Sequence, residues 1–168
     1  AELEENQMGR KESVIFGVRA SLAIAEHRPD SILRVLYTEN RRHDIGSLLK
    51  AAAKHRKPYR EVEVDDLNRQ GKSIHHEGVV VVCEPKATIP FGRFVQKLPK
   101  SPVIIALDNV TNPHNQGAIL RSLGWFGGAA LLVNDSAAHV NAAAMRISQG
   151  AGEFVPVVRT SDLPKALK

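Results

Sequence analysis

The sequence predicts an α/β protein made of two small domains, and three observations support this prediction. Apolar runs of strand length alternate with amphipathic segments of helical period along most of the chain. Residues 103–133 are predicted to form a strand, a turn-rich loop, a helix and a second strand. This order is typical of parallel sheets with sites at the carboxyl ends of their strands. A proline-rich segment precedes that unit, and 168 residues are enough for two small domains.

The N-terminal half predicts a small three-layer αβα domain over residues 12–85, behind a leader, residues 1–11, that is expected to be flexible. Val18, Leu22 and Ala25 share one side of the first helix, and Pro58 ends the second helix. The predicted elements are helix 14–27, strand 32–38, helix 45–56, strand 59–64, a short helix capped by Asp65 or Asp66, and strand 78–84.

Residues 86–102 are predicted to be a linker between the two domains. Pro90, Pro99 and Pro102 make this segment semi-rigid. Its apolar side chains have the spacing of a short helix that docks onto a neighbouring domain; they are Phe91, Phe94, Val95 and Leu98.

The second domain is predicted to span residues 103–168, beginning with strand 103–107 and a polar loop to residue 116. The helix that follows ends at Gly127 in the manner of a glycine C-cap, before strand 129–133. Arg121 lies outside the helical arc that is expected to face the sheet, which consists of Ala118, Ile119, Ser122, Leu123 and Phe126. A loop at Asn134, helix 140–149, strand 154–158 and a final helix capped by Thr160 or Ser161 complete the prediction.

Charge is distributed unevenly along the chain. The net charge is +5, and residues 10–60 contain 12 Lys or Arg against 5 Asp or Glu, whereas residues 61–168 contain 11 against 10. This surplus is typical of a domain that meets phosphates, although a solvated helical surface would look the same. The candidate phosphate contacts are Arg41, Arg42, Lys54, Arg56 and Lys57.

Cysteine and hydropathy patterns narrow the class of protein. The single cysteine, Cys83, lies in an apolar run and is expected to be a buried strand residue rather than a ligand or nucleophile. No signal peptide and no apolar run of membrane-spanning length are evident, so a cytoplasmic protein is expected. No spacing of metal ligands is evident, and His75-His76 has no second ligand pair nearby.

The motif Asn115-x-Gly117-Ala118-Ile119-x-Arg121-Ser122, with Phe126-Gly127 behind it, resembles the first motif of the SpoU (TrmH-like) RNA 2′-O-ribose methyltransferases, in the SPOUT superfamily. The lead-in over residues 107–115 is similar to that family's as well. The resemblance continues through Ser148-x-Gly150-Ala151-x-Glu153-x-Val155-Pro156. Residues 14–84 resemble the family's N-terminal substrate-binding domain, with His76-Glu77-Gly78 where relatives usually have His-Gln-Gly.

The resemblance implies a function and a set of partners. It implies an S-adenosylmethionine-dependent enzyme that methylates tRNA or rRNA. The second domain would be the first half of a Rossmann-like α/β knot, and the complete protein would form a homodimer through that domain. It assigns Arg121 to activation of the ribose 2′-hydroxyl, with Asn115 placing the ribose or the arginine. It also suggests that Asn112, His76 and Arg146 contact RNA. For His76, a purely structural turn is the competing interpretation.

Two later motifs that relatives use for the methyl-donor pocket have no counterpart after Ser161. The cofactor-binding residues are therefore expected beyond Lys168, and residues 1–168 alone are expected to be inactive, either as part of a longer protein or because the knot is lost. The alternative function is an RNA-binding module, or a degenerate relative, without transferase activity. A third hypothesis, a nucleotide-binding Rossmann domain, has less support, because no G-x-G-x-x-G motif follows a strand.

Overall fold

The computed structural model describes residues 12–135 and 140–168, and the chain divides into two compact units after Pro85. The predicted leader, residues 1–11, lies outside the described residues. The segment predicted to be a linker belongs to the second unit, because it contains a strand and a short helix that pack on that unit's sheet.

The N-terminal unit contains a four-stranded mixed sheet in the order β1-β4-β2-β3. Strand β4 is antiparallel to both β1 and β2, whereas β3 is parallel to β2 and forms an edge. Helices α1 and α2 pack against each other, and α3 packs against β1 and β4. The elements are β1 (Ser13–Phe16), α1 (Val18–His27), β2 (Ile32–Tyr37), α2 (Gly46–Lys54), β3 (Tyr59–Glu61), α3 (Val64–Gly71) and β4 (Val79–Cys83).

The buried strand β4 agrees with the sequence prediction, whereas strand β1 was not predicted. All five residues of β4 are buried, including Cys83, as the continuous apolar run indicates. The predicted helix 14–27 is wrong over its first three residues, which form β1. Gly17, with φ of 93°, separates strand from helix, and its N–H donates to the carbonyl oxygen of His76 at 3.2 Å. This contact joins distant parts of the chain, so local periodicity does not reveal it.

The C-terminal unit contains a four-stranded parallel sheet in the order β5-β8-β7-β6. This confirms the α/β fold class with a parallel second sheet. Helices α5, α6 and α7 pack against one another. The elements are β5 (Ile89–Pro90), α4 (Phe91–Phe94), β6 (Ile104–Leu107), α5 (Pro113–Trp125), β7 (Ala130–Asn134), α6 (Ala142–Ile147), α7 (Ala151–Phe154), β8 (Val157–Thr160) and α8 (Leu163–Ala166).

Two hydrophobic clusters hold the C-terminal unit together. The larger joins Leu120 and Leu123 of α5 to the strands and α7, and the smaller joins Leu163 of α8 to residues of α4 and the strands. Phe91 and Phe94 pack in the smaller cluster, so the short helix predicted there docks within its own unit.

Several element boundaries in the C-terminal unit differ from the prediction, including those of β8 and of the final helix. Strand β8 begins three residues later than predicted, because the short helix α7 intervenes. The final helix is capped by Asp162, whose carboxylate accepts from the Lys165 N–H at 2.9 Å, rather than by Thr160 or Ser161.

The buried face of α5 also differs from the predicted arc. Leu123 is buried as predicted and Ile119 is half-buried, whereas Ala118, Ser122 and Phe126 are exposed. Leu120, absent from the predicted arc, is fully buried, and Gln116 and Gly117 are buried beside it. The helix ends at Trp125, so Phe126 is the C-cap residue and does not follow the helical arc. The predicted glycine cap is confirmed, since Gly127 has φ of 68° and the Gly128 N–H donates to the carbonyl oxygen of Leu123 at 2.8 Å.

Candidate functional site

The candidate catalytic site lies where β6 ends and α5 begins, at the carboxyl edge of the parallel sheet. The loop between these elements is ordered by its own side chains. Asn109 adopts φ of 53°, and its carboxamide donates to the Asp108 carboxylate at 3.0 Å. The Gln116 carboxamide, 6% exposed, donates to the carbonyl oxygen of Val110 at 2.8 Å. Gln116 therefore fixes this loop from inside, a role that the sequence analysis missed.

Asn112 is the N-cap of α5. Its side-chain oxygen accepts from the His114 N–H at 2.8 Å, and Pro113 occupies the first turn of the helix. Its carboxamide oxygen is thus used within the protein, and its predicted contact with RNA stays a prediction.

Asn115 and Arg121 are both exposed on α5, as their proposed roles require. Within the described part of the chain, neither side chain has a hydrogen-bonding partner, so both are available to a ligand. Six residues separate them, which in an α-helix is about 9 Å along the axis and about 120° around it. The two side chains therefore do not share a face of the helix, and the predicted role of Asn115 in placing the ribose or Arg121 stays a prediction.

Two glycines set how closely α5 approaches its neighbouring helices. A Cβ atom added at Gly117 would lie 2.7 Å from the carbonyl oxygen of Ala144 and 2.7 Å from the Cβ of Ile147. A Cβ added at Gly124 would lie 2.8 Å from the Cβ of Ala151. Since the two glycines are one heptad apart, they mark a single face of α5 that fits against α6 and α7. This face holds the helix that carries Asn115 and Arg121.

The second motif of the family resemblance, over residues 148–156, includes α7, which packs against this helix. The Ser148 hydroxyl donates to the carbonyl oxygen of Met145 at 2.7 Å and accepts from the Gly152 N–H at 3.0 Å. The Lys86 ammonium donates to the carbonyl oxygens of Gly152 at 2.6 Å and Val155 at 2.8 Å, and so ties the start of the unit to α7. Arg146 of α6 is half-buried, so its predicted contact with RNA stays a prediction.

In the N-terminal unit, the structure separates the predicted phosphate contacts into two groups. Arg42 lies before α2, where it approaches Glu61 at 3.8 Å, and Arg56 and Lys57 follow the end of that helix. The nine residues of α2 separate the groups by about 12 Å. Arg41 is largely used within the fold, since it donates to the carbonyl oxygen of Glu77 at 2.8 Å and to Asp44 at 2.9 Å.

The outer face of α2 joins the two groups. Lys50 and Lys54 are exposed one turn apart on this face, and α2 contains no acidic residue. Within the described part of the chain, no carboxylate lies within ion-pair distance of either lysine. We call Lys50, Lys54, Arg56 and Lys57 the basic α2 face. Lys50 was missed in the sequence analysis, although the helical spacing from Lys54 could have identified it.

His76 is buried in the loop before β4, and its predicted contact with RNA stays a prediction. Its side chain is 5% exposed; its Nδ1 accepts from the Gly78 N–H at 2.9 Å, and its Nε2 lies 3.0 Å from the Asn68 side-chain oxygen. This pairing requires the neutral imidazole with its proton on Nε2. Burial lowers the pKa of His76 below its ordinary value of 6.5, which favours the same neutral form. These contacts support the structural interpretation of the turn.

Comparisons with known proteins give the class of this protein. A model of the SpoU rRNA methylase family matches residues 102–168, and a model of the RNA 2′-O ribose methyltransferase substrate-binding domain matches residues 14–88. Both halves of the chain therefore match models of SpoU-type RNA methyltransferases, as the motif around Arg121 indicates.

Individual relatives carry methyltransferase names. The chain is 31% identical over 160 residues to the 23S rRNA (guanosine-2′-O-)-methyltransferase RlmB of Pseudomonas aeruginosa, covering 92% of this chain and 64% of that protein. It is 28% identical over 157 residues to an uncharacterized tRNA/rRNA methyltransferase of Haemophilus influenzae, covering 94% of this chain and 45% of that protein. The chain thus spans about half to two thirds of the length of the curated relatives it matches.

Solved structures confirm the fold. The SpoU methyltransferase AviRb of Streptomyces viridochromogenes, in complex with the cofactor AdoMet, superposes with a TM-score of 0.72 at 24% identity, covering 98% of this chain and 61% of that one. An AdoMet-bound rRNA methyltransferase of Sinorhizobium meliloti superposes with a TM-score of 0.70 at 16% identity, covering 93% and 57%.

The described residues of the C-terminal unit do not by themselves fit a methyl-donor cofactor. A cofactor pocket buries most of its ligand and aims a few polar groups at it. At the carboxyl edge of this sheet, the exposed Asn109 is instead paired with Asp108, and the exposed Arg159 is paired with Asp135 at 3.3 Å. No residue of this chain is therefore assigned to the cofactor.

Proposed function

We propose that the protein transfers a methyl group from S-adenosylmethionine to a ribose 2′-hydroxyl of rRNA or tRNA. The observation that supports this best is the position of Arg121. It is an exposed, unpaired cation on the helix that follows the carboxyl end of β6, in a family of RNA 2′-O-ribose methyltransferases. The neighbouring loop is fixed by Asn112 and Gln116, so the site is preorganised on the protein side.

The chemistry constrains what Arg121 can do. A ribose hydroxyl is a weak nucleophile, so transfer requires alignment of the hydroxyl and removal of its proton. A guanidinium remains protonated near neutral pH and presents up to five N–H donors. Arg121 therefore holds the target phosphate and hydroxyl as a cationic donor, and Asn115 contacts the same RNA about 9 Å away along the helix.

The proposed RNA contact in the N-terminal unit is the basic α2 face. Its four cations lie along one helix and its C-terminal turn, and the described residues place no carboxylate within ion-pair distance of Lys50 or Lys54. Uncompensated cations in a row release counterions from a phosphate backbone, which is the main source of sequence-independent affinity for RNA.

A homodimer in the cytoplasm is also part of the proposal. Trp125 is 85% exposed and Phe126 is 82% exposed at the end of α5, with Phe154 48% exposed beside Gly124. Adjacent exposed aromatic side chains are typical of an interaction surface. Within residues 12–135 and 140–168, no helix has both the length and the hydropathy to cross a bilayer. Sedimentation analysis tests the dimer, which a monomeric mass at micromolar protein concentration would contradict.

The experiment that tests the proposed function is methyl transfer. The product of the complete reading frame is incubated with a labelled methyl donor and with rRNA or tRNA, and the modified nucleotide is mapped. A 2′-O-methylated ribose is the expected product. Binding to RNA without transfer would instead favour the RNA-binding module, and label on a base would contradict the proposal.

A further inference from the structure

A cleft in the N-terminal unit lies between the edge of the sheet and α3. It has a volume of about 600 Å³, and residues from β2, β3 and α3 form its wall. We call it the β3–α3 cleft. The side chains that matter for its chemistry are Arg34, Leu36, Tyr59, Arg60, Arg69 and Gln70.

Among the described residues that line this cleft, three are arginines and one, Asp66, is acidic. Arg69 is paired with Asp66, and Arg34 is held by two hydrogen bonds of 3.1 Å to Glu12, which leave its remaining N–H groups available. In the part of the chain that the structure describes, Arg60 has no carboxylate within ion-pair distance. The cleft therefore attracts an anion, and Arg60 is its most available cation.

The neighbouring cavity has the opposite charge. This cavity, of about 740 Å³, shares Arg60 and Asp66 with the cleft, and its wall also contains Arg41 and four glutamates, Glu39, Glu61, Glu63 and Glu77. An anion that approaches this side of the unit is repelled from one cavity and attracted to the other. The difference in charge selects the β3–α3 cleft.

An aromatic residue also lines the cleft. Tyr59 is 46% exposed on the edge strand β3, and Leu36 of the next strand provides an apolar contact. An exposed aromatic ring and a cation that line one cleft are the combination that binds single-stranded nucleic acids, with a base stacked on the ring and a phosphate on the cation.

The position of the cleft connects it to the basic α2 face. The chain passes from Arg56 and Lys57 through Pro58 directly into Tyr59 and Arg60. Lys57 and Arg60 are three residues apart, so their Cα atoms are at most about 11 Å apart, within reach of one RNA strand.

We propose that the β3–α3 cleft binds one nucleotide of single-stranded RNA, with the Tyr59 ring stacking on the base and Arg60 contacting the adjacent phosphate. This inference rests on the proposed function, since it takes RNA as the substrate, and it adds a second contact site far along the chain from Arg121. Duplex RNA, whose bases are already stacked, does not enter the cleft.

The test is titration of the 168-residue chain with a labelled single-stranded oligoribonucleotide at several salt concentrations. Tyr59→Ala should weaken binding about tenfold with an unchanged salt slope, because stacking is not ionic. Arg60→Gln should weaken binding by a similar factor and reduce the slope of log affinity against log salt by about 0.7, the value for one lost phosphate contact. Arg159→Gln, in the other unit, is the matched control and should change neither quantity.

The possible outcomes separate this site from the proposed function. If the two cleft variants bind single-stranded RNA as the unchanged chain does, while variants of the basic α2 face bind weakly, the cleft assignment is wrong and the proposed function stands. If the unchanged chain binds no single-stranded RNA, the cleft assignment is wrong, and methyl transfer by the product of the complete reading frame tests the proposed function separately. Uridine monophosphate is titrated as a second ligand. If it binds as tightly as the oligoribonucleotide, the cleft is a small-molecule site and the inference is wrong.

Discussion

Replacing Gly117 with alanine tests whether close helix packing positions the candidate site. The added Cβ would lie 2.7 Å from the carbonyl oxygen of Ala144, 2.7 Å from the Cβ of Ile147 and 2.8 Å from its Cγ2. Ordinary contacts between carbon atoms are about 3.5–4.0 Å, so α5 and α6 must separate by about 1 Å. Neither neighbour can rotate away, since one is backbone and the other is a β-branched side chain.

The expected loss of stability follows from two opposing effects. Overpacking a well-packed contact costs about 1–3 kcal/mol, and rigid neighbours favour the upper end of that range. Alanine gains about 1 kcal/mol over glycine from helix propensity. The expected net effect of Gly117→Ala is therefore a loss of about 2 kcal/mol in the free energy of unfolding of the C-terminal unit.

Thermal or urea denaturation followed by circular dichroism measures this effect, with two matched variants on the same chain. Gly124→Ala also adds a close contact, but partly with the half-exposed Phe154 ring, which can move, so its loss should be smaller. Gly46→Ala places its Cβ where no atom lies within 4 Å, so it should be neutral or slightly stabilising. A Gly117→Ala chain as stable as the Gly46→Ala chain would refute the packing argument.

Two further predictions concern the N-terminal unit. Lys50→Gln combined with Lys54→Gln should lower the slope of log affinity for single-stranded RNA against log salt by about 1.4. The control, Lys97→Gln combined with Lys100→Gln, should leave the slope unchanged. An equal slope in both double variants and the unchanged chain would exclude the basic α2 face as an RNA contact. His76 has a lowered pKa, so the unfolded chain binds its proton more readily than the folded chain does below the ordinary value of 6.5. The contribution of His76 to stability is present above pH 6.5 and is lost as the pH falls from there through the folded-state pKa. His76→Gln should therefore reduce the loss of stability at acid pH, as measured by urea denaturation at several pH values. A profile identical to that of the unchanged chain would contradict the structural role of the imidazole.

The strand–loop–helix–strand unit around Arg121 was predictable because its signals are local. Apolar runs define β6 and β7, and Gly127 marks the end of α5. The start of α5 was placed too late, since the predicted loop to residue 116 includes its N-cap, Asn112, and its first residue, Pro113. The exposure of Arg121 also followed from helical spacing. These features depend on neighbours in sequence, so a single sequence contains them.

The features that were missed depend on contacts between distant residues or on residues without apolar side chains. Strand β1 was assigned to a helix because its pairing with β4 is not visible in the local pattern. The buried face of α5 was misjudged because Gly117 and Gln116 contribute to it, and an apolar arc does not count them. The β3–α3 cleft combines Arg34, Arg60 and Arg69 from three elements, which only the folded unit brings together.

The most direct test of the proposed function is the effect of Arg121→Ala on transfer of a labelled methyl group to RNA by the product of the complete reading frame. A group that aligns the reacting hydroxyl typically contributes a factor of about 100 or more, so transfer should fall at least that far while RNA affinity changes little. Arg159→Ala is the control for the removal of an arginine and should retain activity. Transfer by the Arg121→Ala protein within about threefold of the unchanged protein would contradict the assignment of Arg121, and with it the proposed catalytic site.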